Sequence, residues 1–381
     1  MEKLIFILFL AYLGFLIYEK KRAVRERKSF KYVIHINGIR GKSTVSRLIE
    51  AGLRAGGYKT FAKITGTSPR VINASGEEKE IYRKGKANIK EQIETIHWAY
   101  KEKAEILILE CMAVKPEFQH ICETEIIHSD IGVITNVRED HLDEMGETLD
   151  EIAASLSNTI PEKGAIFTGD EKYFEFFNSI AAEKKSQAFL SNDKKSEYEE
   201  IDFPENVALA LEVCKYVGVS EKIALEGMHN YHRDPGRLKT VKYNNKKAEI
   251  YFVNALAAND PDSTGIILNE IKKKYYWENK KYLLINNRGD RVSRWQQYVK
   301  FVLKVENLFD GIIIFGENRE LFKKYLLKNK ISKDRIITTQ DKEFVEDIKD
   351  DSIIFAAGNI CGYGRQLVDY LQNRGEIVND W

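Results

Sequence analysis

Two glycines, a lysine and two hydroxyls fall together in Gly38-Ile39-Arg40-Gly41-Lys42-Ser43-Thr44, directly after the apolar run Tyr32–Ile36 and at the head of an amphipathic stretch, Ser43–Ala55. That order suits phosphate binding. Gly38 and Gly41 let backbone N–H groups approach phosphate oxygens, the start of the following helix adds partial positive charge, Lys42 reaches terminal phosphates, and Ser43 can hold Mg²⁺. The common form of such a loop, G-x-x-x-x-G-K-[ST], would place glycine at position 36, where this chain has Ile36.

A carboxylate, Glu110, ends the apolar run Ile106–Leu109, where an open parallel sheet presents ligand-binding groups. It reads either as part of a Mg²⁺ site or as a solvated strand-end acid. A second strand-like run opens Asp130-Ile131-Gly132-Val133-Ile134-Thr135-Asn136-Val137-Arg138-Glu139-Asp140-His141-Leu142-Asp143 and delivers a polar cluster. His141, between Asp140 and Asp143, is a metal ligand or a surface histidine paired with acids. The histidines at 35, 97, 120, 128, 229 and 232 carry no spacing argument and read as structural. An acidic substrate needs local cations, and the sets on offer are Lys63 with Arg70, Lys84 with Lys86, Lys115, and Arg288 with Arg291. The last pair follows the apolar run Tyr282–Ile285 and is the first choice, because arginine grips carboxylates bidentately.

Positioning these groups requires strands alternating with helices. Strands are expected at Tyr32–Ile36, Ile106–Leu109, Ile131–Thr135, Ala165–Thr168, Ile250–Val253, Tyr282–Ile285, Ile312–Phe315 and Ile353–Ala356. Helices are expected at Ser43–Ala55, Asn88–Lys101, Leu149–Thr159, Asn206–Val217, Ser263–Lys273, Trp295–Val305 and Arg319–Lys328. The pattern predicts an α/β chain in two units that part at Asp234-Pro235-Gly236. The charged stretch Lys184–Glu200 reads as a solvated excursion.

Composition agrees with an enzyme. The chain has 381 residues, 43% apolar and 31% charged, which excludes disorder, collagen and a polytopic membrane protein. With 59 Lys and Arg against 58 Asp and Glu there is no global basic field for nucleic acid. The cysteines, Cys111, Cys122, Cys214 and Cys361, form no C-x-x-C pair, and so suggest a reducing compartment rather than a disulfide scaffold or zinc knuckle. One local exception is Leu4–Tyr18, uncharged throughout and followed by Lys20, Lys21, Arg22, Arg25, Arg27 and Lys28. As a helix it is about 22 Å long against a hydrocarbon core of roughly 30 Å. The preferred reading is a single uncleaved membrane anchor with the catalytic part in the cytoplasm; a signal peptide and a helix buried in a partner are the rivals.

These motifs resemble the Mur ligase and folylpolyglutamate synthase superfamily, which joins a carboxylate to an amino acid through an acyl phosphate. The resemblance rests on N-G-I-R-G-K-S-T, Glu110, T-N-V-R-E-D-H-L-D, and Asp234-Pro235-Gly236-Arg237-Leu238 at the entry to a C-terminal domain. Ala258-Asn259-Asp260-Pro261 and Thr67-Ser68-Pro69 are similar to two further segments of folate-type members, and the likeness covers about residues 32 to 381. Glu110–Val114, Asn254–Pro261, Arg288–Arg291 and Gly358–Gly364 are similar to the branch formed by the catalytic subunit of poly-γ-glutamate synthases, of the CapB or PgsB type.

The resemblance implies a P-loop ATPase domain over 31–235, after an anchor over 1–18 and a basic linker over 19–30, then a smaller Rossmann-like α/β domain over 236–381. It implies an ATP-dependent carboxylate–amine ligase that polymerises glutamate into poly-γ-glutamate, for a capsule or secreted polymer, releasing ADP and phosphate. By matching position, Gly38, Arg40, Gly41, Lys42, Ser43, Thr44 and Asn136 hold ATP, Ser43, Glu110 and His141 bind Mg²⁺, and Arg237 with Asn259 or Asp260 closes on the nucleotide. Lys42, Glu110, His141 and Arg237 are the expected catalytic residues, and Arg70, Arg288 and Arg291 the expected substrate cations. Expected partners are glutamate, its polymer, the membrane and small membrane-protein subunits of a synthase and export complex. The rival functions are folylpolyglutamate synthesis and a membrane-tethered nucleotide switch. One departure stands out: many relatives carry a carbamylated lysine about fifteen residues after the histidine, where this chain has Leu156.

Overall fold

A computed structural model describes residues 2–65, 69–83, 88–140, 142–233, 239–256, 258, 261–287 and 292–380. The chain divides into two compact units, Met1–Asp234 and Pro235–Trp381. The first runs α1 (Glu2–Arg27), β1 (Tyr32–Asn37), α2 (Lys42–Ala55), β2 (Thr60–Ile64), β3 (Arg70–Ile72), β4 (Glu78–Glu80), α3 (Glu91–Lys101), β5 (Ile106–Glu110) and α4 (Pro116–Ile121). A π-helical turn (Cys122–Ile127) leads to β6 (Ile131–Ile134), α5 (Leu142–Met145), α6 (Leu149–Leu156), β7 (Ala165–Thr168), α7 (Phe174–Glu183), β8 (Gln187–Leu190), α8 (Pro204–Val217) and α9 (Glu221–His229).

Its sheet has the order β4-β3-β2-β5-β1-β6-β7-β8, parallel except for the β2–β3 and β3–β4 pairings. Strands β1, β5 and β6 are buried on both faces, which is why they read as near-continuous apolar runs. Ile34 and Ile36 of β1 pack with Val45, Leu48, Ile49 and Leu53 of α2, whose spacing lines one helical face. Alternation sends Val33, His35 and Asn37 to the other face, where Val33 meets Phe61, Leu107 and Leu109. The register Ile36↔Glu110, Asn37↔Ile134 and Lys63↔Leu109 brings the carboxyl ends of β1, β2, β5 and β6 to one edge.

The second unit runs β9 (Lys239–Asn244), β10 (Glu249–Asn254), α10 (Pro261–Ile271), β11 (Lys280–Asn287), α11 (Val292–Val305), β12 (Gly311–Gly316), α12 (Arg319–Lys328), β13 (Ile336–Thr339), β14 (Ser352–Gly358), α13 (Tyr363–Gln372) and β15 (Glu376–Asp380). Sheet order is β13-β12-β11-β14-β10-β9-β15, parallel from β13 to β10, with β9 and β15 antiparallel at one edge. Side chains of α10, α11 and α12 pack on one face and those of α13 on the other.

The expectation of an N-terminal membrane helix, and with it a single anchor that localises the protein to the membrane, is corrected here. Among the described residues no helix is long and apolar enough to cross a membrane. Helix α1 has 26 residues, but charged Lys3, Glu19, Lys20 and Lys21 bound its apolar run, and the rest of the helix belongs to the first unit. Ala23 and Glu26 are buried, Glu26 Oε1 meets His97 Nδ1 at 2.9 Å, and Arg27 Nη2 meets Asp130 Oδ2 at 2.8 Å. The basic block thus continues the helix and finds acids on the globular unit, Lys20 on Glu125 at 2.6 Å among them.

A second correction concerns Lys184–Glu200. It contains edge strand β8, whose Phe189 stacks on Phe167, and Tyr198, which is buried beneath a Lys195–Glu221 ion pair.

Candidate active site

Between β1 and α2 the chain turns through two left-handed glycines, Gly38 (φ 120°) and Gly41 (φ 80°). Neither position has room for a side chain: a Cβ on Gly38 would collide with the Thr135 hydroxyl, and one on Gly41 would stand 2.6 Å from Asn206 Oδ1. Gly41 caps α2 without any side-chain hydrogen bond, which leaves the first N–H groups of the helix for a ligand.

Asn136, just past β6, clamps the loop. Its Oδ1 accepts from the Arg40 N–H at 3.1 Å and its Nδ2 donates to the Arg40 carbonyl at 3.0 Å. Thr135 Oγ1 donates to the same carbonyl, and Arg40 Nη2 pairs with Asp140 Oδ2 at 2.7 Å. Lys42 folds back, donating from Nζ to the Gly38 carbonyl at 2.6 Å. Burial pushes its pKa below the ordinary lysine value, and the Glu110 carboxylate works against that shift.

Glu110 closes the arrangement from β5. Ser43 Oγ donates to its two carboxylate oxygens at 3.0 and 3.2 Å, and the Thr65 N–H donates to Oε2 at 2.7 Å. Gln92 Nε2 holds the Glu110 carbonyl at 3.2 Å and Lys63 Nζ holds Gln92 Oε1 at 3.3 Å.

Of the residues expected from sequence, Gly38, Arg40, Gly41, Lys42, Ser43 and Thr44 therefore share one sheet edge with Glu110 and Asn136. Arg70 is in β3 beside Glu78 and Glu80, each 4.0 Å away. Lys63 is wholly buried against Glu91 (3.1 Å), and Lys115 is exposed ahead of α4. His141, Arg237, Asn259, Asp260, Arg288 and Arg291, together with Thr67, Ser68, Lys84 and Lys86, lie outside the described residues.

Sequence reasoning missed Thr65, Gln92 and Asn206. It also did not foresee the buried polar cluster around Asn286 at the carboxyl ends of β11 and β14. There Asn286 Nδ2 donates to the carbonyls of Asn359 and Cys361, while Asn286 Oδ1 and Asn287 Nδ2 are buried without a partner among the described residues. Gly362, at φ 64°, starts α13 beside them with no side-chain cap. Runs of asparagine and glycine after an apolar strand are the signal that marks this edge.

The glycine turn between β1 and α2 is thus faced by the strand-end carboxylate of β5, and a second α/β unit follows along the chain. Residues 36–232 match the Mur ligase middle domain, and residues 238–374 match the poly-gamma-glutamate synthase CapB C-terminal domain. PGA synthase CapB of Bacillus subtilis (strain 168) is 37% identical over 367 residues, 93% of each chain. Capsule biosynthesis protein CapB of Bacillus anthracis is 34% identical over 369 residues, 93% of this chain and 79% of that one. The chain belongs to the CapB family of poly-γ-glutamate synthases, and is an ATP-dependent polyglutamate ligase. The fold is shared at 15% identity with the bifunctional folylpolyglutamate synthase/dihydrofolate synthase of Yersinia pestis, solved with AMPPNP and Mn ion, at a TM-score of 0.69 over 92% of each chain. Escherichia coli FolC in complex with ADP has a TM-score of 0.66 at 15% identity, with 93% of each chain covered.

Proposed function

We propose that the loop Gly38–Thr44 cradles the triphosphate of ATP, and that a glutamate carboxylate takes the γ-phosphoryl group to become an acyl phosphate. The amine of another glutamate then attacks the acyl carbon; the carbon–oxygen bond to phosphate breaks, the nitrogen loses a proton, and an amide, ADP and phosphate result. Lys42 leaves the Gly38 carbonyl to neutralise charge on the transferring group, where it is worth most because water is excluded. Asn136 holds both the N–H and the carbonyl of Arg40, so that the loop keeps its shape.

Ser43 and Glu110 are hard oxygen donors within hydrogen-bond distance of each other, a donor set that suits Mg²⁺. Among the described residues no cluster of three acids, histidines or cysteines could hold a metal, and His141 lies outside them. Mg²⁺ would be held by Ser43, Glu110 and His141, and when bound it would supply positive charge to the phosphates. Arg237 with Asn259 or Asp260 would close on the nucleotide, and Arg288 and Arg291 would receive substrate carboxylates, with Arg70 as a further candidate. The exposed apolar side chains of α1, Leu4 to Tyr18, suit a small partner subunit with an apolar helix of its own.

The observation that carries the reading is the meeting of Ser43 with Glu110 at the head of α2. Purified full-length protein given ATP and labelled glutamate should release ADP only when glutamate is present and should build label into a polymer that ordinary proteases do not cut. ADP release at the same rate without glutamate would overturn it.

A further inference from the structure

Strand β5 ends with a displaced hydrogen bond. Its pairing with β2 stops at Lys63 opposite Leu109, and one more step of the parallel ladder would give the Glu110 carbonyl the Thr65 N–H. That N–H goes instead to the Glu110 side chain, 2.7 Å from Oε2. The carbonyl is taken by Gln92 Nε2, 3.2 Å away at the start of α3. On the other side of the same peptide unit, the Cys111 N–H donates to the Ile36 carbonyl of β1 at 2.7 Å.

The Gln92 amide has one way to face. Lys63 Nζ, which can only donate, lies 3.3 Å from Oε1 and so leaves Nε2 for the carbonyl. Lys63 is in turn held by Glu91 at 3.1 Å, and Glu91 by Arg83 Nε and Nη2 at 2.9 and 3.0 Å. Lys63 and Gln92 are wholly buried.

As core filling such a chain adds little, because desolvation of a buried ion pair roughly offsets its attraction. What it supplies is a donor aimed at one carbonyl. We propose that Gln92 is a positioning residue for the ligase reaction: its amide replaces the ladder bond that Thr65 gives up, which leaves the Thr65 N–H to hold the Glu110 carboxylate beside Ser43, and Lys63 sets the direction of that amide. This deepens, and rests on, the reading of Glu110 as a metal-holding carboxylate. Without the amide the Glu110 carbonyl is a buried acceptor left unpaired, so the Thr65 N–H returns to it and the carboxylate loses the donor that aims it. Outer partners that orient a ligand are known to matter about tenfold or more for metal affinity.

The test uses full-length protein as wild type, Gln92→Met, Gln92→Glu, Lys63→Met, the double variant Gln92→Met with Lys63→Met, and Glu110→Ala as reference. Mn²⁺ affinity is read by electron paramagnetic resonance with a non-hydrolysable ATP analogue present, alongside the affinity for that analogue without metal and the thermal midpoint. Gln92→Met fills the same space without a donor, and Gln92→Glu, as a carboxylate paired with Lys63, offers the carbonyl no N–H. Each single variant should bind Mn²⁺ about tenfold more weakly with metal-free nucleotide affinity unchanged. The double variant should be no worse than Gln92→Met, since Lys63 acts through the amide. Wild-type Mn²⁺ affinity in the Gln92 variants, an equal fall in metal-free nucleotide affinity, or multiplied losses in the double overturns the proposal; a loss in Glu110→Ala then leaves the metal site standing. Unchanged Mn²⁺ binding in Glu110→Ala removes the metal site and the proposal together. Where Lys63→Met fails to fold, the Gln92 variants decide alone, because Gln92→Met removes no charge.

Discussion

Ser43 and Glu110 are 67 residues apart in sequence, yet the Ser43 hydroxyl reaches both oxygens of the Glu110 carboxylate, at 3.0 and 3.2 Å. One residue starts the helix that follows β1 and the other ends the neighbouring strand β5, so parallel pairing of the two strands, with Ile36 opposite Glu110, is what joins them. The carboxylate also takes the Thr65 N–H, which ties the chain that leaves β2 to the same point. A single acid thus links three strand ends, and Lys42 is near enough for its charge to be felt there.

The first prediction concerns that lysine. Lys42→Ala should lower glutamate-dependent ADP release by about a hundredfold or more, the usual scale for losing a group that neutralises transition-state charge. Its partners are loop carbonyls rather than core side chains, so circular dichroism and the thermal midpoint should hardly move. Near-normal turnover in a folded variant would remove Lys42 from the site.

Asn136→Ala tests the clamp. Two hydrogen bonds to the backbone of one residue, Arg40, are lost, each contributing about 1 kcal/mol. Nucleotide affinity should fall by roughly tenfold to thirtyfold, because the loop must then be ordered at the expense of binding. Titration calorimetry with ADP measures it, and an unchanged affinity would show that Thr135 and Asp140 suffice to hold Arg40.

The buried His35–Glu123 pair should leave a pH signature in stability. Burial pulls the His35 pKa down, but the Cys111 thiol and the Glu123 carboxylate outweigh it and raise it to about 10. Burial likewise raises that of Glu123, while His35 and Ser129 bring it below the ordinary carboxylate value. A raised base stabilises fully below its unfolded pKa, about 6.5, and loses that contribution as pH climbs to 10; a depressed acid stabilises above its unfolded pKa, about 4.5, and loses it toward acid. The urea-unfolding difference between wild type and Glu123→Gln should therefore be largest between these values, at about 3 kcal/mol. It should shrink toward both pH 3 and pH 10. A flat difference across that range would mean that the pair is not ionised.

The parts of this site that are contiguous in sequence were legible there, and for a physical reason. Gly38 to Thr44 stand out as a glycine turn ahead of a helix because glycine spacing, lysine and helix start are all local, and Glu110 stands out as a charge at the end of an apolar run. Gln92, Thr65 and Asn206 carry no such mark, since each becomes part of the site only through strand pairing or helix packing. His35 read as a structural histidine because its partner Glu123 is 88 residues away. The same limit produced the errors. The basic residues after Tyr18 suggested a membrane flank when read alone, and only the fold brings Glu125 and Asp130 to meet them. In Lys184–Glu200 the abundance of charge hid Phe189 and Tyr198, which are the residues that pack.

The last prediction follows from Leu156. Where the resemblance to Mur-type and folate-type ligases implies a lysine that reacts with CO₂ and helps to hold a second metal, this chain has a leucine that is wholly buried in the α6 end of an apolar cluster with Ile152, Ala153 and Ile160. The next lysine along the chain, Lys163, is exposed, in a left-handed turn beyond Pro161 and off the helix. Neither position can present a carbamate to the loop: a leucine has no amine, and the exposed Lys163 is in bulk water, where carbamates revert. Turnover should therefore be the same in CO₂-depleted buffer and after bicarbonate is restored. Leu156→Lys should not create a dependence either, because it would put a charge into an apolar cluster, at a cost of several kcal/mol in stability. A several-fold recovery of wild-type activity on adding bicarbonate would show that another lysine carries the carbamate, and buried Lys63, whose pKa burial pulls down while Glu91 opposes it, would be the first to replace.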